Sequence, residues 1–492
     1  MKKAFLKHLF ILIFLVKSGF SFAQNLEPSD FLSSDFHKER RDKLRAKMPA
    51  NSVAVYFANP VRNRANDVDY IYHQDPNFVY LSGYNEPHAV LLIFKETQQG
   101  AENDYNEVLF VQPRNARAEM WNGRRLGTKG AQDKLGLNMS FDNIAFAEFG
   151  IDFSKFDKVL FSKFLNDYRD NPSDQGDLYS LIEQFKQKSN YPEGFAKVVL
   201  DVESNSQVST SNLDTEMITQ FMKDLRGIKT EDELVLLRKA VDISCVAQAE
   251  VMKAMHENMS ENEIQGMHEF VFKNYGSEYE GYPSIVGGGN NGCILHYITN
   301  NKPKVGSELV LMDLGAEYHG YTADVTRTIP ANGKFSPAQK AIYDLVYKAQ
   351  SESIKESKAG NTFRHTGMLA KKIVNEGLVE LGIIDSVNQR HMYFPHGISH
   401  HIGLDVHDQG NYDKFEDGMV ITVEPGIYIP KGSNCDEKWW DIAVRIEDCI
   451  LISGDTPELL SDLAPRKSDE IEELMKGTSA FNNFSFPDID QK

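Results

Sequence analysis

The chain has 492 residues, 41% of them hydrophobic, and a formal net charge of −18. That length suffices for two or three domains with real cores, and the acidic excess argues against nucleic acid as a partner. Cys245, Cys293, Cys435 and Cys449 are too few for a disulfide scaffold in so long a chain, match no zinc-finger spacing, and read as mostly free thiols.

The N-terminus carries Lys2, Lys3 and Lys7, then an apolar run from Leu9 to Val16, then Ser21-Phe22-Ala23 before Gln24. A charged segment, a short apolar segment and a small-residue cleavage site predict a signal peptide over residues 1–23. The apolar run is too short to span a bilayer. The protein is therefore expected in the periplasm or outside the cell, free of the membrane once the leader is cut. No cysteine follows closely to take a lipid.

Residues 36–50 read as a polar helix. From Ser52 onward short apolar runs follow one another: Val53–Phe57, Phe78–Ser82, Ala89–Phe94, Val108–Gln112, Val159–Ser162 and Lys197–Asp201. Polar or Gly/Pro-containing segments separate them, with a helical stretch at Leu178–Lys188. This predicts an N-terminal α/β domain over 24–208. The polar segment Glu203–Asp214 marks its end. Helices dominate next. Thr230–Glu233, Ser260–Glu263 and Ser336–Gln339 are capping boxes, the last with Pro337 at the first helical position. A fourth helix spans about His365–Leu381 and stops at Gly382, and a short acidic one covers Ser468–Lys476. Strands lie between them, which predicts an α+β domain over 209–476, an antiparallel β core flanked by helices. Residues 477–492 read as a flexible tail.

The chemistry centres on Leu309–Thr328, where Asp313 sits in an apolar run and Asp324 follows the turn Glu317–Gly320. A hairpin centred between Tyr318 and His319 makes the two aspartates direct cross-strand partners. Carboxylates about 5 Å apart repel by about 3 kcal/mol at an effective dielectric of 20, so a cation is expected between them. Glu424 and Glu447 repeat the arrangement in a hairpin centred between Cys435 and Asp436. Between the hairpins lies a histidine-rich loop with His396, His400, His401 and His407. Taken singly each acid reads as an exposed residue; four of them in two hairpins beside this loop point to metal. Two divalent cations cancel four carboxylates, and a hydroxide fits between metals about 3.5–4 Å apart. Oxygen donors with one nitrogen and no thiolate suit Mn²⁺, and Zn²⁺, Co²⁺ and Fe²⁺ are compatible too.

These motifs resemble the pita-bread metallopeptidases, most closely the aminopeptidase P family. The resemblance covers roughly residues 35–476 and includes Asp75–Pro87 and Trp121–Gly127 in a creatinase/prolidase-like N-terminal domain. It implies the ligand order Asp313, Asp324, His400, Glu424, Glu447, with the HGxxH pattern selecting His400 over His401. It implies pocket roles for His296, His396, His407 and Arg445 in catalysis, and for Tyr282, Tyr428, His296 and His407 in substrate binding. It also implies release of the N-terminal residue from peptides with proline second, Glu424 as proton shuttle, an N-terminal domain that limits access, and a homodimer or homotetramer. A prolidase, restricted to dipeptides, is the near alternative, and a metal-binding protein without turnover the distant one. His319, His365 and His391 read as surface residues, Cys449 as packing, and Trp439-Trp440 as loop packing or substrate wall.

Overall fold

Six strands organise the first half. In a computed structural model, which describes residues 30–101, 103–192, 195 and 211–484, they are β1 (Ser52–Phe57), β2 (Val90–Gln98), β3 (Tyr105–Val111), β4 (Ser140–Asp142), β5 (Lys158–Phe161) and β6 (Leu213–Asp214). They lie in the order β4-β3-β2-β1-β5-β6. β1 pairs antiparallel with β2 and parallel with β5. It is buried almost throughout because both faces are covered. Val53 and Val55 pack with Phe110, Phe161 and Phe185 on one side. On the other, Tyr56 reaches Met222 (3.3 Å), and buried Arg41 of helix α1 (Ser34–Lys47) grips Glu107 of β3 through two hydrogen bonds of 2.9 and 3.0 Å.

The apolar run Phe78–Ser82 belongs to helix α2 (Pro76–Ser82). Asp75 caps it by accepting from the Phe78 N–H, Pro76 stands in its first turn, and Gly83 ends it in the left-handed region (φ 69°). Helix α3 (Leu178–Lys188) follows the sequence reading. The sheet takes its last strand from residues 213–214. The leader, the run at 197–201 and the end of the tail, 485–492, lie outside the described residues.

Helix α4 (Glu216–Arg226) leads into the second half. Helices α5 (Glu231–Ala254), α6 (Glu261–Asn274), α7 (Pro337–Glu356) and α8 (Phe363–Glu380) surround an antiparallel core. The capping boxes at Thr230 and Ser336 are complete, and at Ser260 the hydroxyl accepts from the Glu263 N–H. Strands β7 (Ile285–Gly288), β8 (Leu309–Asp313) and β11 (Thr326–Pro330) form one antiparallel sheet. Beyond it, β9 (Ala316–Tyr318) pairs with β10 (Tyr321–Thr322). The second hairpin runs through β12 (Val420–Val423), β13 (Gly426–Ile429), β14 (Ile442–Arg445) and β15 (Asp448–Leu451), with β12 on β15 and β13 on β14. Among the described residues no helix is long and apolar enough to cross a membrane, and all four cysteines are free.

Three sequence expectations differ from the structure here. The first hairpin turns one residue later than expected: Tyr318 pairs with Tyr321, and Asp313 lies opposite Thr326 rather than Asp324. His319 and Gly320 both have positive φ (50° and 87°), the requirement of a two-residue turn matched to strand twist. His319 is accordingly no surface residue; its side chain is 2% exposed and its Nδ1 lies 2.5 Å from Glu278. The tail also packs where it is described. The Ser479 hydroxyl donates to the Glu250 carbonyl (2.9 Å), and Phe481 and Phe484 sit edge-on to Phe270.

Candidate metal centre

Both hairpins interrupt their ladders at the acids. In the first, pairing lapses at Leu314–Gly315 on one strand and Ala323–Val325 on the other. A Cβ on Gly315 would lie 1.8 Å from the Ala323 carbonyl oxygen, so only glycine permits this approach. In the second, the lapse holds Glu424-Pro425 and Ile446-Glu447. The register on either side, Val423 with Asp448 and Gly426 with Arg445, places Glu424 opposite Glu447 as expected. Glu424 lies between two strands rather than at the end of one. Its N–H goes to the Ile398 carbonyl (2.8 Å), and that of Glu447 to Thr326 (3.1 Å). This ties the second hairpin to the histidine loop and to the first hairpin.

The result is a cavity of about 560 Å³ whose lining includes Asp313, Asp324, His400, Glu424 and Glu447. Among the described residues, Asp324, His400 and Glu447 bring donor atoms within 4.8 Å of one another. His400 Nε2 is 3.4 Å from Asp324 and 3.7 Å from Glu424. Asp313 and Asp324 share the Tyr282 hydroxyl (2.6 and 2.7 Å), and Asp313 also contacts Arg445. Glu447 accepts from the Thr326 hydroxyl (2.6 Å).

The electrostatics are those of too many buried acids. Burial, then the neighbouring Glu447 charge, pushes the Glu424 pKa up to about 8. Burial, then Asp313, holds Asp324 well above the carboxylate range, and burial, then Asp324, does the same for Glu447. Arg445 brings a positive charge into this cluster, in contact with Asp313. Hard oxygen donors, one imidazole nitrogen and this excess of negative charge fit divalent cations.

The other expected residues fall into place around this floor. His296, His396, His407, Tyr282 and Arg445 line the same cavity. Tyr428 stands behind it, 3% exposed, its hydroxyl 2.8 Å from His396 Nε2 and accepting from Arg445 (2.9 Å). His407 stacks edge-on against His400 at 4.4 Å; burial, then the His400 charge, lowers its pKa. Burial lowers that of His396 to about 4. His401 faces away, buried, with Nε2 on the Asn411 carbonyl (2.9 Å). Trp439 is buried, and Trp440 donates to the Ser433 carbonyl; neither lines the cavity. Cys449 packs its sulfur on the Asp324 main chain (3.0 and 3.4 Å). His365 is exposed, and His391 is half-buried against Asn375 (3.0 Å).

Sequence reasoning missed Thr326, Ile298 and Val406. Thr326 was findable, since it stands two residues from Asp324 on a buried strand; the two apolar wall residues carry no distinguishing pattern. It also missed how the first half reaches the site. His73 bonds both oxygens of Glu317 (2.9 Å each) in β9. Asn77 of α2 accepts from Arg226, which pairs with Asp408 beside His407; Lys229 completes that buried cluster at 2.9 Å from Asp408.

Comparison with known proteins agrees with this geometry. Residues 235–454 match the model of metallopeptidase family M24, and residues 37–153 that of the aminopeptidase P N-terminal domain. The chain is 34% identical to a Xaa-Pro aminopeptidase of Haemophilus influenzae, over 90% of this chain and 98% of that protein. It is 33% identical to Xaa-Pro aminopeptidase 3 of Dictyostelium discoideum, over 89% and 82%. The solved structure of Escherichia coli aminopeptidase P with the inhibitor Pro-Leu superposes with a TM-score of 0.79 at 32% identity, covering 90% of this chain and 98% of that one. With both domains matched nearly end to end, the chain belongs to metallopeptidase family M24 and, within it, to the aminopeptidase P branch.

Proposed function

We propose that this metallopeptidase is an exported Xaa-Pro aminopeptidase that works with two divalent cations, Mn²⁺ in preference to Zn²⁺, Co²⁺ or Fe²⁺. The observation that carries the reading is the convergence of Asp313, Asp324, His400, Glu424 and Glu447 on one cavity floor, together with relatives named for Xaa-Pro substrates. Those five residues would hold the metals. Divalent cations bound there supply Lewis acidity that activates water and polarises the scissile carbonyl.

The chain's own groups do the rest. Glu424 accepts the proton of the attacking water and delivers it to the departing proline nitrogen. His296 and His407, on the cavity wall, donate hydrogen bonds to the carbonyl oxygen as charge builds on it. A lowered pKa keeps His407 neutral near pH 7, with an N–H to give. Arg445, braced by Tyr428, pairs with Asp313, and His396 fixes the Tyr428 hydroxyl from the other side. Tyr282 orients both aspartates.

The test is hydrolysis by metal-stripped protein with Mn²⁺ added back, comparing an X-Pro-Pro tripeptide with an X-Pro dipeptide. Cleavage of the tripeptide, restored by metal and far exceeding that of the dipeptide, is expected. Cleavage of the dipeptide alone would make the enzyme a prolidase. Export rests on the lysines, the apolar run and the Ser21-Phe22-Ala23 site; the mature protein is expected to begin at Gln24, read by N-terminal sequencing. Assembly as a homodimer or homotetramer is checked by light scattering on the purified enzyme.

A further inference from the structure

Two buried glutamines occupy equivalent places behind the two acid-bearing hairpins. Gln248 lies on the apolar face of α5, in line with Leu237, Val241 and Val251, and is fully buried. Gln350 lies on the apolar face of α7, in line with Tyr343 and Val346, and is also fully buried. A leucine would be the ordinary occupant of either position.

Each side chain ends at a ladder gap. Gln248 Nε2 donates to the Met312 carbonyl (3.1 Å) and the Val325 carbonyl (3.0 Å), one on each strand of the first hairpin. Gln350 Nε2 donates to the Val423 carbonyl (3.1 Å) and the Ile446 carbonyl (3.0 Å), one on each strand of the second, with Asp448 Oδ2 at 2.8 Å beside them. These four carbonyls adjoin Asp313, Asp324, Glu424 and Glu447 in the chain. Val325 and Ile446 stand where the strands have parted, and Met312 and Val423 lie on the paired strands at the edge of each gap. A buried carbonyl left without a donor is costly, and closing the gap to satisfy it would swing the neighbouring carboxylate away. Among the described residues the Gln248 Oε1 has no hydrogen-bond partner. The fold thus tolerates an orphaned acceptor at that site in order to present two N–H bonds. At Gln350 the same oxygen accepts from Arg466 (3.2 Å).

We infer that Gln248 and Gln350 are positioning residues of the metal centre: each carboxamide spans the gap in one hairpin and fixes the pair of carboxylates that flank it. The inference rests on the metal reading above. It differs from a merely structural plug in what it predicts for cation affinity.

The experiment is calorimetric titration of Mn²⁺ into the metal-stripped full chain, near neutral pH, for wild type, Gln248→Met and Gln350→Met. Methionine keeps the length and burial of the side chain and removes both N–H donors. Loss of such an outer support weakens metal affinity about 10–100-fold, and that range is expected for each variant. A loss of about threefold or more in either variant supports the inference; a smaller one in both overturns it. A plug with no positioning role would lower the melting temperature of the stripped protein and leave Mn²⁺ affinity unchanged, which is also an overturning result. Should a methionine variant fail to fold, Gln248→Asn and Gln350→Asn, which keep the amide but draw it back by one methylene, are judged by the same criterion. A wild-type chain that takes up no Mn²⁺ would sink the metal reading itself, whereas binding by wild type and variants alike would sink only the positioning role.

Discussion

Glu424 is the residue asked to do most. It faces His400 at 3.7 Å and lies opposite Glu447 across the hairpin. Glu424→Gln keeps the shape and removes the proton acceptor. Turnover is expected to fall about 10²–10⁴-fold, with the far-ultraviolet circular dichroism of wild type; near-normal activity would remove Glu424 from the proton path. The same acids make a prediction about pH. Glu424 rises from its ordinary 4.5 to about 8, and Asp324 and Glu447 rise with it. The folded, metal-stripped chain therefore binds more protons than the unfolded chain within that window, so its stability falls as pH rises. Its melting temperature is expected to drop between about pH 5 and 8, and Mn²⁺ is expected to raise it most at the alkaline end. A melting temperature that climbs with pH in the stripped protein would contradict the assignment.

At the scale of the element, the decisive feature is the parted ladder. Gly315→Ala sets a Cβ against the Ala323 carbonyl at 1.8 Å and Tyr282 at 3.0 Å. Backbone cannot yield as a side-chain tip would, so a destabilisation of about 3 kcal/mol or more is expected from urea unfolding, with loss of Mn²⁺ uptake. The second hairpin was legible in the sequence because its acids and strands are symmetric about one point. The first was misread by one residue. The sequence predicts a four-residue turn, Glu317 to Gly320, whereas the strands pair up to Tyr318 and Tyr321 and leave only His319 and Gly320 to turn. Histidine enters the positive-φ region more readily than most residues but does not demand it, so His319 alone does not fix the turn. Phe78–Ser82 could be read only as an apolar run for a related reason: five residues have no period, and the signal for helix lies outside them, in Asp75 and Pro76.

Across the whole molecule, the division into an α/β half and an antiparallel half was readable from short motifs, and so were the acids and the histidine that meet at one cavity. The contacts that join those halves were not, since they depend on residues far apart in the chain. Asp408 is the clearest case. It is 3% exposed, between Arg226 and Lys229, with Asn77 of the first half on the far side of Arg226. Asp408→Asn leaves two buried cations without their anion. A loss of about 3–5 kcal/mol is expected in urea, together with a weaker hold on the loop that carries His400 and His407. Unchanged unfolding would show that the cluster is not what fastens the halves.

The two hairpins differ in what fixes their register, and that difference has a practical side. In the first, a two-residue turn dictates every pairing beyond it, so one inserted residue would move each side chain to the opposite face. In the second, the connection at Lys431–Lys438 is largely exposed, and the pairing is set by the strands themselves. A reporter peptide or affinity handle spliced near Asn434–Glu437 is expected to leave peptidase activity intact at little entropic cost, while one spliced at His319–Gly320 is expected to abolish it. One hairpin is thus expected to accept engineering and the other to forbid it, though both carry acids that line the same cavity.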